Sequence, residues 1–258
     1  RATIRGLIDM LETNAGLRDR YDTAVNSRTG IDCFDAWVSE LVTTGSLHTH
    51  ARRWFASIWV YTLELPWQLG ADFFYRHLAD GDPASNTLSL RWVCGLHTRG
   101  KTYLARATNL VSYTGGRFVP GGKLAGEAPP LKEARTHSLR PLPAAQAIPA
   151  DSRYGLLVTE EDCSLETVVP GCSPVAVMGA VATGSRSPLP IGGPAREFAT
   201  QAVADGTERA AIHYGIPAQS VYGSKWGDAL VAWSRSRNLD AVVTAYAPVG
   251  PVAERLAQ

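Results

Sequence analysis

Apolar residues at Ile4, Leu7, Ile8 and Leu11 recur three and four positions apart, and so do Phe34, Val38, Leu41 and Val42 after a Thr29-Gly30 boundary. Both runs predict helices with one buried face. Trp54 to Leu65 is apolar almost throughout and predicts a third, buried helix that stops at Pro66, because proline cannot donate to the preceding turn. Phe73, Phe74, His77 and Leu78 mark a fourth helix, and Asp82-Pro83 opens a fifth. Aspartate accepts from the free N–H groups of a first turn, and the fixed φ of proline suits the first helical position. Residues 1–118 therefore read as helix-rich. From 119 to 150 the periodicity vanishes, and Pro120, Pro129, Pro130, Pro141, Pro143 and Pro149 predict an extended, mobile linker. Beyond 151 the pattern changes again. Leu156-Leu157-Val158 and Val175 to Val181 look like buried parallel strands. Phe198 to Tyr214 predicts a helix ending at Gly215, after a Gly192-Gly193 loop. Ser220 to Tyr222 and Ala241 to Thr244 predict two more strands, and Trp226 to Ser236 and Val252 to Leu256 two more helices. Strands alternating with helices imply a doubly wound parallel sheet. The expected fold class is α plus α/β: an all-helical part over 1–118, then a Rossmann-like parallel α/β domain over 151–258.

Composition narrows the partners. A chain of 258 residues that is 45% hydrophobic can bury two cores. A net charge of +1 excludes a strongly basic nucleic-acid binder on composition alone. The charge is uneven, with 13 Lys/Arg against 11 Asp/Glu in residues 1–120 and 8 against 11 in residues 151–258. A polyanion would meet the first part. Cys33, Cys94, Cys163 and Cys172 form no C-x-x-C pair, which argues against a zinc ribbon or an iron–sulfur cluster. Without a signal peptide the reducing cytoplasm is the expected location. The longest apolar run, Trp54 to Trp67, contains Glu64 and falls short of the roughly 20 residues a membrane span needs, so no membrane partner is expected. The chain begins at Arg1 and not at methionine, which reads as a processed chain or a fragment of a longer one.

Two clusters carry candidate chemistry. Asp80-Gly81-Asp82 is a tight turn entering a helix, with Asn86 one turn further on. It reads either as turn and cap or as a pocket where helix N-terminal N–H groups meet an electron-rich ligand. A calcium loop is disfavoured, since its further carboxylate ligands do not follow. In His48-Thr49-His50-Ala51-Arg52-Arg53, His48 and Arg52 are four apart and share a helix face, whereas His48 and His50 do not. A helical zinc pair is disfavoured and no metal is expected. Arg52 reads either as a solvated salt-bridge partner or as the mate of a carboxylate such as Asp80.

Taken in order, Thr44 to Arg52, Leu65-Pro66-Trp67, Asp80 to Asn86 and Arg91-Trp92, continuing through Gly100 to Arg106 and Gly116-Arg117-Phe118, this stretch resembles the C-terminal half of the FAD-binding domain of the photolyase/cryptochrome family. The resemblance implies FAD as cofactor and DNA containing pyrimidine dimers as partner. The activity it implies is that of a lyase: light-driven dimer repair by electron transfer from reduced flavin. Arg52 and Asp80 match the ion pair beside the isoalloxazine ring, Asp82 the contact to the flavin's polar edge, and Asn86 the side chain facing flavin N5. Trp92 matches the aromatic that packs on a flipped lesion base, which gives it, with Asn86, a catalytic role. Trp67 matches the middle member of the electron-transfer tryptophan chain, with an ordinary core tryptophan as the other reading. His50 and Arg53, with Trp92, form the implied DNA side.

Three positions depart from the family pattern. Ser46 stands where an aromatic faces the cofactor, and Thr49 where an asparagine does. Leu90 stands where the flavin-proximal tryptophan belongs, and leucine cannot be oxidised at accessible potentials. The earlier helices that supply phosphate contacts have no counterpart, so a chain complete at Arg1 would clasp FAD from one side only. Gly155 to Asp162 and Asp240 to Gly250 resemble the first and last strands of the family's antenna domain. That implies an antenna chromophore of unspecified identity near Thr159, Glu160 and Tyr246, with a generic Rossmann-like module as the other reading. Three functions stay open: a repair photolyase, a cryptochrome-like or degenerate flavoprotein without repair, and an inactive fragment of a longer chain.

Overall fold

The computed structural model describes residues 2–133, 138, 141–148, 151–168, 173–223 and 226–258; Cys172 lies outside them. The chain divides into two compact units, Arg1–Thr136 with Ser187–Ala195, and His137–Arg186 with Arg196–Gln258.

The first unit is helical: α1 (Ala2–Thr13), α2 (Ala15–Val25), α3 (Asp32–Thr44), α4 (Thr49–Ser57), α5 (Trp67–His77), α6 (Pro83–Val93) and α7 (Ala107–Tyr113). The five helices expected from periodicity are α1, α3, α4, α5 and α6. The sequence pattern did not reveal α2 and α7. Helix α2 buries only Leu17, Tyr21 and Ala24, and α7 only Leu110, too few apolar positions to set a period. Helix α4 runs into a π turn at Ile58–Thr62. There Tyr61 donates from its hydroxyl to the Val93 carbonyl (3.3 Å), and the Trp59 indole donates to the Pro66 carbonyl (3.0 Å). The core is built on rings. Phe34 stacks on Phe55 (4.6 Å between centroids), Phe55 on Trp59 (5.7 Å) and Trp59 on Phe73 (6.1 Å). Gly70 lets α5 lie flush against α6, since a Cβ there would sit 3.1 Å from both the Leu90 side chain and the Trp59 ring.

Among the described residues this unit encloses a buried ion pair. Arg76 donates to Asp72 one turn earlier (2.8 Å), and both side chains are buried. Arg76 also donates to the Pro190 carbonyl (2.8 Å) and the Tyr21 hydroxyl (3.3 Å), while its own carbonyl accepts from Gly192 N–H (2.9 Å). Buried charges persist when every donor finds a partner. Here some of those partners come from residues 187–195, far along the chain. The first part of the expected linker is held as well. Leu131 N–H donates to the Cys94 carbonyl (3.0 Å), Thr102 donates to the Ala128 carbonyl (2.8 Å), and Glu133 pairs with Arg91 (2.6 Å). These residues follow the helical surface instead of running free.

The second unit contains a four-stranded parallel sheet of β1 (Tyr154–Thr159), β2 (Ala176–Val181), β3 (Ala218–Tyr222) and β4 (Ala241–Val243), in the order β3-β2-β1-β4. The two central strands are buried at every position, as strands covered on both faces are. Helices α8 (Leu165–Val168), α10 (Trp226–Ser236) and α11 (Pro251–Leu256) accompany it, with α9 (Gly193–Tyr214) from Arg196 onward. Helix α9 begins at Gly193, within the expected glycine loop and five residues before Phe198. Its early buried face is Ala195 and Ala199, residues that leave a faint apolar signal.

Candidate functional site

Helices α4, α5 and α6 wall a cavity of ≈ 620 Å³, within the range of roughly 300–1,000 Å³ typical of small-molecule and cofactor sites. Each wall is set locally. The His48 ring caps α4, its Nδ1 accepting from His50 N–H (3.3 Å). Asp82 caps α6 by accepting from Ser85 N–H, with Pro83 at the first helical position. Gly45 ends α3 in the left-handed region (φ 69°), and its carbonyl accepts from Ala79 N–H (2.8 Å). That bond brings the chain before α4 against the α5–α6 turn.

The turn's carboxylate is thereby placed for Arg52. The guanidinium donates to the Leu47 carbonyl (2.7 Å) and to both oxygens of Asp80 (3.0 Å each). The Asp80 side chain is 64% exposed, so the pair adds at most about 1 kcal/mol to stability. Its effect is orientation, fixing the guanidinium at the cavity wall. Asn86 lies on the facing helix and is 6% exposed, with a side-chain nitrogen that meets no acceptor among the described residues. A buried donor left unmet costs about 1–3 kcal/mol. Asn86 and the oriented Arg52 both line the cavity, a pairing of amide and cation that suits the electron-rich edge of a flavin.

Thr49, Arg52, Arg53, Asn86, Leu90 and Trp92 all line this cavity. Trp92 is 36% exposed, with the Arg53 guanidinium 5.6 Å from its ring and Tyr103 5.8 Å away. Leu90 is fully buried. The remaining candidates lie elsewhere. Ser46 is exposed, its N–H donating to the Thr44 hydroxyl (3.1 Å), and is not part of the lining. Asp82 is engaged as a cap. His50 is exposed and stacks on His48 and Tyr113. Trp67 lines a second cavity of ≈ 510 Å³, with the Arg91 guanidinium 5.5 Å from its ring.

Sequence reasoning missed Phe74, Leu78, Ser89 and His97 in the lining. Ser89 stands three residues beyond Asn86, so helical spacing could have found it. His97 follows a turn at Gly95 (φ 73°) and gave no local signal. In the α/β unit, Glu160 accepts from Ala182 N–H (2.9 and 3.0 Å) and the Thr183 hydroxyl (2.8 Å). Its carboxylate thus bridges the carboxyl ends of β1 and β2. Thr159 is buried and Tyr246 exposed. Among the described residues no group of three or more His, Cys, Asp or Glu side chains could hold a metal, and no helix is long and apolar enough to cross a membrane.

Residues 8–123 match the family model for the FAD binding domain of DNA photolyase. The chain is similar to a deoxyribodipyrimidine photo-lyase of Streptomyces griseus, 40% identical over 70 residues, which is 27% of this chain and 15% of that protein. It is similar to cryptochrome-1 of Arabidopsis thaliana, 33% identical over 96 residues, 37% of this chain and 14% of that protein. A deoxyribodipyrimidine photo-lyase of Vibrio cholerae is 31% identical over 104 residues, 40% of this chain and 22% of that protein. The chain thus spans less than a quarter of the length of each of these relatives.

Proposed function

We propose, from the membership of residues 8–123 in the photolyase/cryptochrome family, that the chain binds FAD in the cavity between α4 and α6 and uses it for light-driven repair of pyrimidine dimers in DNA. The observation that supports this most is Asn86: a buried side chain with an unmet donor, facing a cavity that Arg52 also lines. In this reading Arg52, oriented by Asp80, lies beside the isoalloxazine ring, and Asn86 donates near N5. Asp82 acts on the polar edge through the α6 N-terminus that it orders, and Thr49 adds a hydroxyl at the wall. Ser46, outside the lining, takes no part in this reading. Bound reduced flavin supplies the light-driven electron donor. The chain's own residues hold it, exclude water and present the lesion. Trp92, with Arg53 and His50, takes the DNA side, where an aromatic face stacks on an extruded base. Trp67 is the candidate for relaying electrons.

Reconstitution with FAD followed by gel filtration tests the binding. The wild type should retain yellow flavin, and Arg52→Ala and Asn86→Leu should each weaken it by about tenfold, the loss of one charge-assisted or buried hydrogen bond. A protein that stays colourless overturns the reading. Leu90 favours a second reading, a cryptochrome-like flavoprotein without repair, because it breaks the usual tryptophan path. Illumination of dimer-containing DNA with chemically prereduced protein separates the two. Dimer cleavage supports repair, and bound flavin without cleavage supports the second reading.

The α/β unit fits a Rossmann-like module, since its strand order reverses between β1 and β4 and ligands of such sheets sit at that crevice. We place any antenna chromophore there. The free thiols of Cys33, Cys94 and Cys163 suit a reducing compartment such as the cytoplasm.

A further inference from the structure

We propose that the exposed ring column His48–His50–Tyr113 is a stacking platform for an unpaired base of single-stranded DNA. The proposal rests on DNA being the partner, as argued above. His50 lies parallel to His48 (5.6 Å between centroids, 13° between planes) and parallel to Tyr113 (5.7 Å, 13°). Trp54, only 4% exposed, supports the column from beneath, 5.9 Å from His50 and 6.4 Å from Tyr113. The N-cap bond from His50 N–H to His48 Nδ1 holds the first ring in place. Tyr113, by contrast, is 71% exposed. A rigid stack with its outer ring in solvent presents a π face that is already oriented. The column adjoins the cavity, since Thr49, between the two histidines, lines it.

The segments that carry the column hold cations and lack carboxylates, which suits a phosphate backbone. Residues 41–63 and 83–126 contain no Asp or Glu, and they supply α4, α6 and α7. Within them Arg53, Arg99, Lys101 and Arg106 have no carboxylate partner among the described residues. The nearby Asp80 is taken by Arg52. Cations that follow a backbone beside aromatic faces are the pattern of single-strand binding, tolerant of sequence because every base has a π face. Bases inside a duplex have no free face, so the column selects unpaired ones, such as those in a strand opened beside an extruded lesion.

Fluorescence anisotropy of the full chain with labelled oligothymidylate, and with a duplex of equal length, tests this. Tyr113→Ala and His50→Ala should each weaken oligothymidylate binding by about tenfold, within the roughly 5- to 100-fold expected for one stacked base. Tyr113→Phe should restore it, and Tyr113→Ala should leave duplex affinity within about twofold. Arg106→Gln should lower the salt dependence by about one charge while Tyr113→Ala leaves it unchanged. Oligothymidylate binding that survives both alanine variants overturns the platform, and so does an equal loss on single strand and duplex. A wild type that binds neither DNA overturns both the platform and the DNA half of the proposed function. FAD retention, measured separately, then decides the flavin half alone.

Discussion

Asp72 and Arg76 lie one helical turn apart on α5, both buried, and the Arg76 guanidinium finds Asp72, Tyr21 and Pro190 as acceptors. Removing the carboxylate strands a cation inside the unit. Asp72→Ala should therefore cost about 3–5 kcal/mol, read as a lower midpoint in urea denaturation at unchanged slope. Asn86 is the opposite case, a buried amide whose nitrogen has no partner among the described residues. Asn86→Leu removes an unmet donor, so the ligand-free protein should melt at the same temperature or higher while FAD binding weakens. A variant that loses both stability and flavin would argue for a purely structural asparagine. The spacing of Arg52, Asp80, Asp82 and Asn86 was legible along the chain because each stands near a cap or a turn. The burial of Asp72 was not, because an i, i+4 ion pair reads the same on a solvated face.

Helix α6 owes its start to Asp82 and Pro83, and both were readable as a cap and a first-turn proline. Asp82→Ala should cost about 1 kcal/mol and loosen the turn that holds Asp80, seen as a lower melting temperature together with weaker FAD retention. The packing of α6 on α5 depends on Gly70, where a Cβ would press on Leu90 and Trp59 at 3.1 Å. Gly70→Ala, which helical propensity alone would favour, should instead destabilise by about 1–3 kcal/mol, measurable by calorimetry. The π turn at Ile58–Thr62 left no trace in the pattern. An apolar run that is buried all round shows no preferred face, so one extra residue per turn changes nothing visible in it.

The helical unit closes with residues 187–195. Gly192 packs against His77, where a Cβ would lie 2.8 Å from the ring nitrogen, and donates to the Arg76 carbonyl. A protein cut to residues 1–136 should lose the Pro190 acceptor and this contact, and denature at lower urea than the full chain. The same region sets a pH dependence. Burial and the Arg76 charge hold the pKa of His77 down at about 4, against an ordinary 6.5. The unfolded chain then takes up a proton before the folded one, so stability falls as pH drops from about 6.5 to about 4 and levels below. Asp72, its pKa raised by burial, acts in the opposite sense over the carboxylate range. Urea titrations of wild type and His77→Gln across that window isolate the histidine, and the variant should show the shallower fall.

Periods of 3.6 and 2, caps, prolines and glycines act over a few neighbouring residues. The sequence alone therefore determined most helices, all four strands and the α plus α/β class, together with the order of the residues now gathered at the cavity. The rest was decided by groups that meet only once the chain has packed. Ser46 is exposed and outside the cavity lining, although Thr49 and Arg52 a few residues on are part of it. A segment from beyond β2 satisfies an arginine on α5, and Tyr113 joins a histidine column on α4. No local pattern encodes these meetings, because burial and contact between distant segments depend on how whole helices pack, not on the residues one turn away.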